Sequence, residues 1–451
     1  MVKDLTEGSP RRVLWLFSLP LLGSIIFQQL YNIADSFVAG KFIGDNALAA
    51  VGNAYEVTLI YLAFTFGCNV GTSVIVSQLF GGKRYRELKT AVSTCFISSG
   101  VICLALMIVG FLCSPMLLHV IKVPGHIFSD VIAYLYIYTL GLFFQFFYNI
   151  STGIFTALGD SKTPFLFLAF SSVSNIFVDI LFVKLGWGVK GVAWATFLCQ
   201  GVSCVLAVFA VLKRLKTITC EEKPELFSVP LLGKFLKIAV PSTLQQSFVS
   251  VGNMFIQSLV NECGMSVIAS YSAFIKLQNL AITCISTLGT AMSNYTAQNM
   301  GAGKIDRCKK TMFLCLIEDF IASAAAIALV LLTGKYILAI FNSDPEVIAI
   351  GYTRLLFLFG SYIFTLTYEI LSGYLRGFGI SLAPAILTLF GVCGVRIFWI
   401  KAIFPMHRTF RSILLAYPIS LATTTVLIIA ALLICRPAHK FAARSGEQTQ
   451  A

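Results

Sequence analysis

The sequence predicts an all-α polytopic membrane protein: twelve transmembrane helices in two six-helix lobes, related by a pseudo-two-fold axis along the membrane normal. Three observations predict it. Of 451 residues, 57% are hydrophobic and 12% charged, where a soluble domain carries about 25% charged residues; mean hydropathy is +0.86. Apolar runs of about 20 residues, long enough to cross a bilayer as a helix, recur along almost the whole chain. The chain also repeats itself at a constant offset.

The expected spans are 13–38, 50–79, 91–112, 129–157, 164–184 and 190–212, then 235–259, 266–298, 311–332, 346–376, 382–404 and 410–435. Each must satisfy its own backbone hydrogen bonds, since lipid offers none. Pro20, Pro164, Pro241, Pro384 and Pro418 fall within or at the ends of spans, where neighbouring helices can take up freed carbonyls. The polar start Met1 to Arg12 runs straight into a full-length span, so no cleavable signal is expected. Residues 1–212 form the expected N-terminal lobe, 213–234 a linker, 235–435 the C-terminal lobe and 436–451 a tail. The linker, with Glu221, Glu222, Lys223, Pro224 and Pro230, reads as a solvated tether or an amphipathic helix on the lipid surface.

The net charge of +13 is a topology signal. Of the 33 Lys and Arg residues, 22 fall on the N-terminus, the loops after even-numbered spans and the tail. Eight fall on the opposite loops and three inside spans. The positive-inside rule then puts both termini and the linker in the cytoplasm of a multi-pass plasma-membrane protein. No basic stripe interleaved with aromatics suggests nucleic acid. The 13 cysteines are odd in number, scattered through apolar runs and without a CxxC pair, so they read as small buried hydrophobes. His119, His126, His407 and His439 fall in loops or the tail, and neither a metal constellation nor a nucleophile–base pair is apparent. An enzyme is therefore not expected, nor a cofactor, and the expected state is a monomer.

A shift of 220 residues superimposes Gln78 on Gln298, Gly81 on Gly301, Cys95 on Cys315, Gly153 on Gly373, Gly159 on Gly379 and Pro164 on Pro384. Six spans per half means that both halves enter from the same side, as parallel repeats do. Two bundles facing each other across a cleft, with one rocking against the other, is the expected device for alternating access.

Ionisable groups inside spans cost about 2.5–3.5 kcal/mol on insertion scales and are candidate functional groups. Here they are Asp35, Asp179, Lys276, Glu318, Asp319, Arg354, Glu369 and Arg396, with Glu56 near a span end. Gln28, Tyr31 and Asn32 precede Asp35 by seven, four and three residues, which puts all four on one helical face. Asn175 lies one turn before Asp179. Two carboxylates with amide neighbours suit a small cation, or a proton if burial raises a carboxylate's affinity for it. The repeat places Trp399 and Val395 where the first half has Asp179 and Asn175, so ion coupling belongs to the first half. Glu369 falls on Asn149 and Arg396 on Ile176; Glu369 and Arg396 either pair across spans 10 and 11 or face the substrate cleft. Glu56 falls on Lys276, opposite signs that suggest a latch between the halves or two unrelated residues near water. The 39 Phe residues mostly suit lipid or helix packing, with some available to a flat cationic substrate.

These residues sit in longer runs: Leu19-Pro20, Gln28-Gln29-Leu30-Tyr31-Asn32-Ile33-Ala34-Asp35-Ser36, Ala47-Leu48-Ala49-Ala50-Val51-Gly52, Ser77-Gln78-Leu79-Phe80-Gly81, Ala157-Leu158-Gly159-Asp160-Ser161, Asn175-Ile176-Phe177-Val178-Asp179 and Leu375-Arg376-Gly377. In combination, and over nearly the whole chain, they resemble the multidrug and toxic compound extrusion (MATE) family. The resemblance implies two six-helix lobes around a V-shaped cleft and export driven by inward Na⁺ or H⁺ flow. It implies that Asp35, Asn175 and Asp179 bind the coupling ion, with Gln28, Tyr31 and Thr196 beside them. Some members carry further acids in spans 7 and 10; here span 7 offers Gln245, Gln246, Asn253 and Gln257, and Glu369 is displaced from the matching position.

The sequence thus points to a secondary antiporter for amphipathic or cationic organic molecules, with the bilayer and that small molecule as its partners. The rival reading is a lipid-linked precursor flippase of similar architecture, which Arg354, Arg396 and Lys276 would serve as a basic wall.

Overall fold

The computed structural model describes residues 4–38, 42–120, 123, 125–220, 222–260, 285–341, 345–406 and 409–441. Side chains at some further helical positions, among them Tyr31, Asn32, Asp35 and Glu56, lie outside the described set, as does the whole of Lys276. Twelve long helices run through the described residues. They are α1 (Pro10–Val38), α2 (Asp45–Gly81), α3 (Tyr85–Val120), α4 (Gly125–Ala157), α5 (Lys162–Lys184), α6 (Gly188–Thr217), α7 (Val229–Val260), α8 (285–301), α9 (Ile305–Phe341), α10 (Pro345–Gly377), α11 (382–403) and α12 (Phe410–Cys435). No strand occurs among the described residues. Nine of the described helices are long and apolar enough to cross a membrane. Several overrun the expected spans: α2 extends to 81 and α3 begins at 85, so that Arg86 and Glu87 carry helical backbone beyond the apolar run.

The chain divides into two compact units, 1–4 with 16–243 and 5–15 with 244–451. In the first, α4 packs between α2 and α6, with α3 against α4 and α5 against α6. In the second, among the described residues, α10 packs on α9 and α12, and α11 packs on α12. The division cuts through helices: the first turns of α1 belong to the second unit and 229–243 of α7 to the first.

Hydrogen bonds explain those assignments. The Leu5 N–H donates to Gln298 Oε1 at 3.0 Å, Asn299 Nδ2 donates to the Leu5 carbonyl at 3.2 Å, and Arg11 pairs with Glu318 at 2.9 Å. The equivalent lead-in to α7 docks on α3. There the Glu225 N–H donates to Thr90 Oγ1 at 3.0 Å, the Ser228 N–H to Thr94 Oγ1 at 3.1 Å, and Arg86 pairs with Glu222. The linker between the helices is shorter than expected, 218–228; residues 222–227 are exposed, and two hydrogen bonds to α3 hydroxyls pin it. Irregular backbone must find acceptors for its N–H groups, and the α3 hydroxyls supply them.

The repeat recurs in three dimensions. Leu79–Arg84 and Asn299–Lys304 close the ends of α2 and α8 with the same backbone bond, 2.9 and 2.8 Å. Gly159 and Gly379 both take positive φ, 75° and 79°, in turns closed by Asp160 N–H to Phe155 O and Ile380 N–H to Leu375 O. Gly153 on α4 faces the Asn69 carbonyl of α2, and Gly373 on α10 faces the Gly289 carbonyl of α8, with no room for a Cβ at either. Small residues let membrane helices approach closely, so the two glycines fix the same helix crossing in each repeat. A second small pair, Gly67 and Gly71 on α2, receives Ala239, Thr243 and Phe235 of α7.

Helix α11 departs from the regular form. It is α-helical over Leu382–Thr388, π-helical over Leu389–Gly394, α-helical over Val395–Phe398 and π-helical again over Trp399–Ile403. The Phe404 N–H to Trp399 O bond, 2.9 Å, closes the second wide turn. The histidines also differ from expectation: His119 ends α3, His126 opens α4 and His439 lies in a short helix at 437–441, while His407 is outside the described residues.

Candidate functional site

Helix α5 is inverted relative to a soluble helix. Its buried residues are Pro164, Ser171, Ser172, Asn175 and Asp179. Leu166, Phe170, Val173, Phe177 and Leu181 are exposed. Lipid is the natural solvent for that apolar face, so the interior face is free to be polar. The spacing of 171, 175 and 179 keeps the polar side chains on one line along the helix.

Asn175 and Asp179 are 0% exposed. A carboxylate so placed is costly unless its oxygens are answered, and both residues have interaction partners. Thr196, which the resemblance places beside them, is buried on α6, the helix that packs on α5. The Ser171 hydroxyl donates to the Cys199 carbonyl of α6 at 3.2 Å. The two helices run antiparallel through the tight turn at 185–187, so one turn on from Ser171 is one turn back from Cys199. Asn175 and Thr196 therefore lie at the same depth. A carboxylate, an amide and a hydroxyl at neighbouring depths form a hard-oxygen set of the kind that suits an alkali cation or a proton.

Of the other candidates, Asp35, Tyr31 and Asn32 lie on α1 with side chains outside the described set, and Gln28, one to two turns earlier, is exposed. Glu56 and Lys276 are likewise outside the described side chains. Asn149 is half-buried on α4; its amide donates to the Gln145 carbonyl at 2.8 Å and its carbonyl accepts from Asn69 Nδ2 at 2.7 Å.

Glu369 and Arg396 do not pair with each other. The Glu369 carboxylate faces Arg376, seven residues along the same helix, at 3.6 Å. Arg376 in turn donates to Gln245 Oε1 of α7 at 3.2 Å, and Gln245 lies 3.4 Å from Thr388 Oγ1 of α11. Arg396 bonds Asn253 of α7 and Ser420 of α12. Of the two readings of Glu369 and Arg396, pairing across spans 10 and 11 is not what the described contacts show: Arg376, two turns along α10, faces Glu369 instead. Arg376 had been legible only as part of the run Leu375-Arg376-Gly377. Ser171, Ser172 and Ser420 carry no charge, and only burial marks them as parts of polar networks.

The family model MatE matches residues 20–181 and 241–401. A protein of Bacillus subtilis (strain 168) described as "Probable multidrug resistance protein YpnP" is 29% identical over 393 residues, covering 86% of each chain. A second, "Probable multidrug resistance protein YoeA" of the same organism, is 26% identical over 436 residues, covering 94% of this chain and 93% of its own. Among solved structures, one described as MATE in complex with MaL6 matches with a TM-score of 0.88 at 22% identity, over 97% of this chain and 99% of that one. At that identity the likeness establishes a shared fold, and the two matched stretches are the two repeats.

Proposed function

The chain belongs to the MatE family, and from that premise we propose that it is a secondary active antiporter of the plasma membrane, exporting amphipathic or cationic organic compounds against inward Na⁺ or H⁺ flow. The observation that carries this is the inverted helix α5, whose buried face ends in Asn175 and Asp179 inside a membrane-spanning unit. Relatives described as probable multidrug resistance proteins support the choice of substrate class. Asp179, Asn175 and Thr196 would hold the ion, with Asp35, Tyr31 and Gln28 of α1 completing its shell. An ion that binds one arrangement of the protein more tightly biases the whole equilibrium toward it, and linkage then obliges the substrate's affinity to change in return. No covalent step is needed.

Drug efflux from proteoliposomes under an imposed Na⁺ or pH gradient tests the reading. Wild type is expected to respond to one of the two gradients, and Asp35→Asn and Asp179→Asn to lose that response while still binding drug. Undiminished gradient-driven efflux in both variants would remove the coupling role. The flippase alternative predicts instead that a lipid phosphate crosses the bilayer with no gradient at all.

A further inference from the structure

We propose that Arg396 recognises an anionic group, a carboxylate or phosphate, on the molecule the protein moves. The proposal rests on the transporter reading above. Arg396 lies inside α11 and is 3% exposed. A guanidinium keeps its charge at every physiological pH, and a charge inside a membrane helix is costly unless something answers it. The described side chains that touch Arg396 are neutral. Its Nε donates to Ser420 Oγ at 3.2 Å, one terminal nitrogen donates to Asn253 Oδ1 at 2.6 Å, and the guanidinium sits over the Tyr417 ring at 4.6 Å. No ion pair among the described residues includes Arg396. The other terminal nitrogen meets no acceptor among them.

Structural arginines in low dielectric are ordinarily held by a carboxylate, because the pair's attraction must offset the loss of water. Here three helices fix the plane of the fork and leave its charge in place. One terminal nitrogen and the second hydrogen of the other remain to meet an oxyanion end-on.

The backbone points to the same residue. Arg396 occupies the four-residue α-helical turn between two π-helical turns, 389–394 and 399–403. Wide turns of this kind concentrate at functional sites, since they displace a side chain from its regular position. Gly252 of α7 completes the fit: a Cβ there would lie 3.4 Å from the Arg396 terminal nitrogen and 3.5 Å from Cys393 Sγ. A substrate with an acidic group, a zwitterion included, supplies the counter-charge that no described contact of Arg396 supplies.

The test uses the full chain, purified in detergent free of anionic lipid. Three fluorescent probes are titrated: 1-pyrenebutyrate, its methyl ester, and the corresponding trimethylammonium. Wild type is expected to bind the acid about tenfold or more tighter than the ester, the scale of hydrogen bonds to a charged group. R396Q should bring that ratio near one without weakening the ammonium probe. R396K should give an intermediate ratio, because an ammonium cannot reproduce the fork. Gly252→Val, which crowds the guanidinium, should also lower it, and serves if R396Q does not fold. A wild-type ratio of one, or a full ratio in R396K and Gly252→Val, would overturn the proposal. Nanodiscs separate the two sources of anion. A greater loss of acid affinity in phosphatidylglycerol than in phosphatidylcholine, larger for wild type than for R396Q, assigns the site to a lipid phosphate; no such excess assigns it to a soluble anion. None of these measurements uses a gradient, so their failure leaves the coupling role of Asp35 and Asp179 standing, and the converse also holds.

Discussion

Gly373 shows how a single missing methyl can set a helix crossing. A Cβ at that position would collide with the Gly289 carbonyl, while Gly360, on the same helix, has nothing within 4 Å. Gly373→Val is expected to destabilise the protein by about 3 kcal/mol or more, as overpacking against backbone does. Gly360→Ala should be neutral or slightly stabilising, since Ala favours helix by about 1 kcal/mol. Thermal unfolding of the detergent-solubilised variants, followed by loss of helical circular dichroism, reads the contrast; equal midpoints would refute the crossing argument. The acids obey a different logic at this scale. Asp179 is legible as a candidate because a carboxylate in a span is rare, and it is completely buried. Arg376 was less legible, because it sits at the end of a span where an arginine ordinarily snorkels to water. Only its burial beside Glu369 and Gln245 shows that it turns inward.

Among the helices, α5 makes the sharpest prediction. Its exposed side chains include Phe177, at 69%, and its buried ones are mostly polar. Phe177→Arg should cost about 2.5–3.5 kcal/mol on insertion and lower the amount of protein in the membrane fraction. Phe177→Leu should leave it unchanged. Equal yields from both would place Phe177 away from lipid. The linker gives a second test. Thr90 and Thr94 accept the N–H groups of Glu225 and Ser228. Thr90→Val with Thr94→Val removes both acceptors, at about 1 kcal/mol each, and should speed proteolytic cutting within 218–228. Arg86→Gln should matter less, because its pairs with Glu222 and Glu225 are solvent-exposed and such pairs contribute about 0–1 kcal/mol. Composition suggested a tether here because Glu, Lys and Pro signal solvent; the hydroxyls that capture the segment lie more than 130 residues away in sequence and leave no local mark.

Across the whole molecule, the two units are interleaved along the chain. Residues 5–15 belong to the unit that otherwise begins at 244, and the linker with 229–243 to the unit that runs from 16. A cut within 218–228 deprives the first unit of the α7 segment that fills Gly67 and Gly71. It also parts the second unit from the residues that bond Gln298, Asn299 and Glu318. Either half expressed alone is therefore expected to be degraded, and the two co-expressed to accumulate together. A stable, monodisperse half would refute this.

The sequence alone determined the class, the twelve helices and the repeat. All of these follow from properties read locally or at a fixed offset: apolar run length, the scarcity of charge, and residue identity 220 positions apart. The tertiary structure alone decided which polar groups meet. That Glu369 faces Arg376, that Arg396 is held by Asn253, Ser420 and Tyr417, and that α11 widens on both sides of it all depend on packing between distant helices. Helical periodicity gives the face a residue occupies but not the neighbour across from it. In a membrane, where apolar surface gains nothing by leaving lipid, that neighbour is chosen by fit and by polar pairing.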